Sequence, residues 1–344
     1  MKKLLNTLYV TTQGAYLAKE GETLLVRVER ETRLQLPIHT LSAIICFGQV
    51  SASPALMGMC GERNVALSFM TEYGRFLARV QGPVSGNVLL RRAQYRNADN
   101  EVFSAEFARL IVAAKVVNSR RLLQRAVRDY PDDEGTKQIE QASYYLRRVL
   151  QKLKIADPQV DTMRGLEGDA ARSYFGSFNS LIRVEQNEFQ FQGRNRRPPL
   201  DNTNALLSFI YTLITQDMKA ALEGVGLDPA VGYLHRDRPG RAGLALDLME
   251  ELRSYLGDRL TLSLINRRQV KSKGFIKTES GAVIMDDETR KIVLVAYQER
   301  KRDTITHPFI NEKVEIGLLT HLQAMLLARH LRGELESYPP FISR

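Results

Sequence analysis

The sequence predicts an α+β, multidomain protein, with a small β-rich N-terminal domain followed by a larger all-α C-terminal domain. Three observations carry this. Short apolar or alternating runs, punctuated by turn residues, fill the first 80 positions. After Gly86 the apolar spacing becomes helical and stays so to about residue 265. And 344 residues are more than a single compact core usually holds. The expected boundaries are a β-rich domain over 1–90, a polar linker over 91–100 and a helical domain over 101–344.

In the first part, residues 8–10, 24–28, 34–38, 43–46 and 65–70 read as five strands. Turns are expected at Thr12-Gln13-Gly14 and Lys19-Glu20-Gly21-Glu22. Pro37 lacks an N–H and so demotes its run to an edge strand. One helix is expected over 54–60, capped by Ser51 or Ser53. In the second part, Phe103, Phe107, Leu110, Ile111 and Ala114 share one helical face, and 118–127 and 142–153 continue in the same manner. Residues 131–135 form an acidic helix–helix loop, and 189–199 a basic loop with two prolines. A hairpin is expected from 281–285 and 291–296 around Asp286-Asp287-Glu288, and a last helix over 312–335.

Lys and Arg number 49 against 39 Asp and Glu, a net charge of +10. Residues 1–95 hold 11 basic and 6 acidic side chains, half of the excess, so the charge is not held in a tail. Such a surface favours polyphosphate partners, above all nucleic acid. Cys46 and Cys60 lie in apolar settings without metal-type spacing and read as buried reduced thiols. The N-terminus lacks a signal-length apolar run. The most apolar segment, 204–222, is broken by Ser208, Thr212, Thr215, Gln216 and Asp217, so a cytoplasmic location is expected.

Two segments stand out, RGLEGDAARSYF (164–175) and GLDPAVGYLHRDRPGRAGLALDLMEELR (226–253). Glu167 belongs on a helix capped by Asp161 or Thr162, sharing a narrow side with Ala171 and Tyr174. His235 precedes a loop. Asp247 and Glu250 are three apart on an expected helix over 242–256. There Asp247, Glu250, Glu251 and Ser254 form a polar stripe opposite Leu244, Leu248, Leu252 and Tyr255. Each residue also has a plain reading: an exposed glutamate, a structural histidine, a solvated acidic face. Together, two carboxylates and an imidazole suit Mg²⁺, or Mn²⁺ with the imidazole counted. Such an ion lowers phosphodiester charge and activates a hydroxyl. The candidate catalytic residues are therefore Glu167, His235, Asp247 and Glu250. Candidate DNA-backbone contacts are Arg194, Arg196, Arg197, Arg236, Arg238, Arg241, Lys271 and Lys273, with Lys277 beside them. Residues 115–154, with ten basic and five acidic side chains, offer a second strip. There is no phosphate-binding Walker loop, GxSxG elbow or HExxH helix.

The chain resembles the CRISPR-associated protein one family. The resemblance rests on GRFLARVQGPVSGNVLLRRAQY (74–95), EGDAARSYF (167–175), RRPPLDNTNALLSFIYTLI (196–214), GLDPAVGYLH (226–235) and LALDLMEELR (244–253). GELESYPPF (333–341) is similar to variants of class-one interference systems. The resemblance implies a metal-dependent DNA endonuclease and integrase of spacer acquisition, in which a 3′-hydroxyl of captured DNA attacks a repeat phosphodiester. It implies a catalytic helical domain and a homodimer. It further implies two dimers bridged by the small CRISPR-associated protein two into a heterohexamer. It places metal ligands on Glu167, His235 and Glu250, with Asp247 assisting; many members carry Asp at the position of Glu250, which leaves Asp247 and Glu250 as alternatives for the third ligand. A branched-DNA repair nuclease and a non-catalytic DNA-binding scaffold are the alternative functions. Residues 1–90, with no ligand set of their own, are expected to make the dimer interface.

Overall fold

The computed structural model describes residues 6–82, 88–131, 135–184, 186–195 and 198–343. The chain divides into two compact units, Met1–Gly86 and Asn87–Arg344.

The first unit holds β1 (Asn6–Val10), β2 (Tyr16–Glu20), β3 (Thr23–Val28), β4 (Glu31–Pro37), β5 (Leu41–Phe47), β6 (Ser51–Ala52), α1 (Pro54–Glu62), β7 (Ala66–Met70) and β8 (Phe76–Val80). They form two four-stranded sheets, ordered β1-β5-β7-β8 and β4-β3-β2-β6. Eight strands replace the five expected. β2 was hidden because its last residues, Lys19 and Glu20, are polar and run into the Gly21 turn (φ +56°). β4 is an edge strand, as Pro37 requires. Ser53 caps α1 through Leu56 N, leaving Pro54 at the first helical position. Leu17, Leu24, Ile44, Leu56, Met59 and Leu67 make the core, with Cys46 and Cys60 buried as free thiols.

The second unit runs α2 (Val88–Ala98), α3 (Glu101–Asp129), α4 (Thr136–Ile155), α5 (Val160–Gly176), α6 (Gln186–Phe189), α7 (Asn202–Val225), α8 (Gly243–Glu250) and α9 (Arg259–Asn266). The hairpin β9 (Phe275–Lys277) and β10 (Val283–Met285) follows, then α10 (Asp287–Arg302), β11 (Thr304–Thr306), β12 (Lys313–Glu315) and α11 (Leu319–Leu331). The unit is helical as expected, with two short two-stranded hairpins set into it.

Several expectations are corrected here. The 91–100 stretch is no linker but most of α2, where Leu90 and Gln94 are buried. Residues 103–127 lie within one 29-residue helix, Glu101–Asp129, since its buried face runs unbroken from Ser104 to Leu123. Residues 291–296 are helical because Asp286 caps α10 through Thr289 N (2.8 Å). The partner of β10 is β9, on the other side. The last helix is shorter than 312–335, because Lys313–Glu315 pairs with β11. Asp161 and Thr162 do not cap α5; Gln159 occupies the cap without a side-chain bond. Residues 132–134 of the expected acidic loop lie outside the described residues. Among the described residues no helix is long and apolar enough to cross a membrane.

Candidate metal centre

Four elements of the second unit bring the candidate residues together: α3, α5, the loop before α8, and α8 itself. The expected helix over 242–256 breaks after Glu250, and Arg253–Asp258 winds as a π-helical turn. Such turns recur at functional sites. Its polar stripe is not solvated: Asp247, Glu250, Glu251 and Ser254 are all buried. Both faces of the helix are covered, so each carboxylate must find a partner inside the protein.

Asp247 is completely used. Its Oδ2 accepts from Tyr233 N (2.6 Å) and Leu234 N (3.0 Å), and its Oδ1 from His235 N (3.0 Å). His235 Nδ1 lies 2.6 Å from the same Oδ1. The carboxylate therefore folds the 233–235 turn around itself and fixes the imidazole. This needs close approach. A Cβ on Gly232 would stand 2.7 Å from Asp247 Oδ2, and one on Gly243 2.7 Å from Ala230 O. Both glycines belong to the segment that stands out in the sequence, and only glycine fits there.

With Nδ1 donating to Asp247, His235 Nε2 keeps a lone pair, 3.9 Å from Glu250 Oε1. Glu250 Oε1 also meets Arg253 (3.2 Å), and its Oε2 meets the Lys115 ammonium (2.7 Å). Lys115 also contacts Glu167 Oε1, so one cation joins the two carboxylates. Burial alone would raise the Glu250 carboxyl; Arg253 and Lys115 outweigh it and hold it below its ordinary value. Burial likewise opposes the Lys115 charge, but Glu250 and Glu167 hold its pKa above the ordinary value. Glu167 and His235 remain partly open to solvent, with side chains 27% and 17% exposed, so a ligand can reach them.

No group of three or more His, Cys, Asp or Glu among the described residues forms a ready metal cage. The donor set still fits a divalent ion in kind. It offers two carboxylates that already share one cation and an oriented imidazole nitrogen.

Other residues escaped the sequence reading. Lys115 was counted only as part of a basic strip; its place between Ala114 and Val116 on an apolar helix was the available signal. Gln94, in the supposed linker, pins the loop leading to His235. Its amide donates to Asp228 O (2.7 Å) and Val231 O (2.9 Å) and accepts from Asp228 N (2.9 Å). Arg253 had no signal beyond its position three residues after Glu250.

The basic candidates divide. Arg194 is committed to Asn204 Oδ1 (2.7 Å) and Ser208 Oγ (3.1 Å), locking its loop to α7. Arg236 binds both oxygens of Asp161 (2.8 Å each). Arg238, Lys271, Lys273 and Lys277 are exposed, and Arg241 is half-buried. Arg196 and Arg197 lie outside the described residues. On α4, Lys137, Arg147, Arg148, Lys152 and Lys154 are exposed around Tyr144 and Tyr145.

A sequence profile described as CRISPR associated protein Cas1 matches residues 8–299. The chain is 54% identical over 344 residues to CRISPR-associated endonuclease Cas1 1 of Chlorobaculum tepidum, covering 100% of both. Among solved structures it is similar to a casposase bound to integration product, with a TM-score of 0.83 and 22% identity over 97% of this chain and 92% of that one. It is also similar to a chain of a Cas6-RT-Cas1–Cas2 complex, with a TM-score of 0.84 and 23% identity, covering 100% of this chain and 37% of that one.

Proposed function

The chain belongs to the Cas1 family of CRISPR-associated proteins, and from that premise we propose that it is a divalent-metal-dependent DNA endonuclease and integrase that inserts short foreign DNA into a CRISPR repeat array. The observation that carries the site assignment is the Asp247–His235 pair facing Glu250, with Glu167 tied to Glu250 through Lys115.

In this reading Glu167, His235 and Glu250 hold Mn²⁺ or Mg²⁺. When bound, the ion acts as a Lewis acid that lowers phosphodiester charge and stabilises the pentacoordinate oxyanion. Asp247 has no oxygen to spare, which favours Glu250 as the third ligand. Asp247 is a positioning residue: it keeps the proton on His235 Nδ1 and frees Nε2. Arg253 holds Glu250 Oε1 toward the histidine. Exposed Arg238, Lys271, Lys273 and Lys277 take the DNA backbone, with α4 as a second strip. Arg196, Arg197 and Arg241 stay in the proposed set on charge alone. Arg194 and Arg236 serve the fold around the site.

The Cas6-RT-Cas1–Cas2 structure motivates the small CRISPR-associated Cas2 as partner, in a heterohexamer of two homodimers. The β-rich unit, without ligand residues of its own, makes the homodimer interface. A fragment beginning at Asn87, which keeps Gln94, should then run as a monomer in light scattering; a stable dimer would move the interface.

The function is tested by incubating the protein with supercoiled repeat plasmid, a short duplex with free 3′-hydroxyl ends, Mn²⁺ and the small partner. Covalent joining of duplex to plasmid is the expected result. Nicking without joining supports a repair nuclease, and binding alone a scaffold; either overturns the proposal.

A further inference from the structure

We infer that Lys115 is a resident counter-cation that competes with the divalent ion for the Glu167–Glu250 pair and so sets the metal affinity of the site. This rests on the reading of the site as a metal centre.

A lysine on the covered face of α3 needs a reason, because burying an ammonium is costly unless it is paired. Lys115 is 7% exposed and lies between Ala114 and Val116. Its partners are Glu167 and Glu250, two of the three proposed ligands, on two different helices. The ammonium therefore holds oxygens that a metal ion needs. Charge points the same way. Glu167 and Glu250 are already balanced by Lys115 and Arg253, so this carboxylate pair presents little net negative charge to a divalent ion, and Asp247 is left as the remaining negative charge. Two effects of removing Lys115 oppose each other. The carboxylates lose the cation that holds them together, and the metal loses a neighbouring positive charge. The metal term is the larger, because its charge product is twice that of two carboxylates at equal distance.

A purely structural lysine and a competing one predict opposite signs. The probe is Mn²⁺ alone, with free ion counted by its electron paramagnetic resonance signal, on wild type, Lys115→Met and Lys115→Arg. Thermal melting in chelator is recorded in parallel. Lys115→Met should melt lower without metal yet bind Mn²⁺ at least about tenfold more tightly, a change of about 1.4 kcal/mol. Lys115→Arg, which keeps the charge, should bind as wild type does. Unchanged or weaker Mn²⁺ binding by folded Lys115→Met overturns the inference. If that variant does not fold in chelator, Mn²⁺ should restore it, and Lys115→Gln, which keeps a donor toward Glu250, should bind Mn²⁺ more tightly. Failure of Mn²⁺ to restore either variant marks Lys115 as structural and also overturns the inference. Wild type that binds no Mn²⁺, or whose binding survives Glu167→Gln with Glu250→Gln, removes the metal reading itself. That result is distinct from a wild type that binds while Lys115→Met shows no gain.

Discussion

The two compact units differ in what they bury. Among the described residues of the first, the covered polar side chains are Thr7 and Ser68, and no charged side chain is buried. Among those described residues the buried titratable groups are Cys46 and Cys60, whose thiols burial pushes up to about 12 and about 11, keeping them neutral and inert. The second unit buries Lys115, Asp247, Glu250, Glu251, Asp258, Arg290 and Lys301. A buried ion pair is a weak way to stabilise a fold, because desolvation offsets most of the attraction. Buried charges gathered in one unit therefore need specific partners: Glu251, Arg290 and Lys301 find structural ones, while Lys115, Asp247 and Glu250 meet at the candidate site. Within the second unit the cluster centres on α8. Asp247 fixes the histidine, Glu250 faces it, and Glu251 turns away to clamp the chain's end.

This contrast can be broken by substitution. The largest stability effect should come from Asp247→Ala, which strands the backbone N–H groups of residues 233–235 and the His235 ring. Denaturant unfolding should show a loss of roughly 3–5 kcal/mol. Leu67→Ala in the first unit should cost about 2–5 kcal/mol by leaving a cavity. Only the first substitution should change Mn²⁺ binding, and equal effects would erase the distinction between the units.

Next comes a pH effect. Burial pushes the Glu251 carboxyl up to about 7, against hydrogen bonds from Tyr338, Phe341 N and Gln323. Unfolded, it titrates near 4.5. Between these values the folded state holds the extra proton. The associated stability is complete below pH 4.5 and lost as pH rises to 7. Up to about 3 kcal/mol should disappear across that window in wild type relative to Glu251→Gln. Parallel stability profiles for the two proteins would contradict it.

Smaller still, Gln94→Ala should cost roughly 1–3 kcal/mol. Hydrogen exchange should speed up at Asp228, whose N–H the amide holds. Unchanged exchange there would make α2 a bystander. Replacing Lys271, Lys273 and Lys277 by serine should leave stability alone. It should reduce the salt dependence of DNA binding by up to about 0.9 for each phosphate that is no longer neutralised. An unchanged slope would place the backbone-binding cations elsewhere.

The contrast also explains what the sequence made legible. In the first unit, alternation and turn residues mark five of the eight strands, because apolar burial alone shapes them; β2 fails where Leu17 and Ala18 are followed by Lys19 and Glu20. In the second unit, helical spacing finds α3 and α4. It fails at 286–296, where a strand-like apolar run follows a cap, and at 91–100, where Gln94 is buried by hydrogen bonding. At the site, Glu167, His235, Asp247 and Glu250 come together as the motifs suggested, but their division of labour could not be read. Asp247 and Glu250 look alike three residues apart, and only the peptide N–H groups folded over Asp247 separate them. Lys115 and Gln94 carry no local pattern; their partners lie 52 and 134 residues away.

The central claim is that Glu167, His235 and Glu250 act as one metal-binding unit. Its most direct test is Mn²⁺-dependent DNA cutting by the three single alanine variants and their pairwise combinations, with DNA binding measured alongside. Each single substitution should abolish cutting, pairs should be no worse than singles, and DNA affinity should be retained. Near wild-type cutting by any one variant at saturating Mn²⁺ would contradict the account and remove that residue from the site.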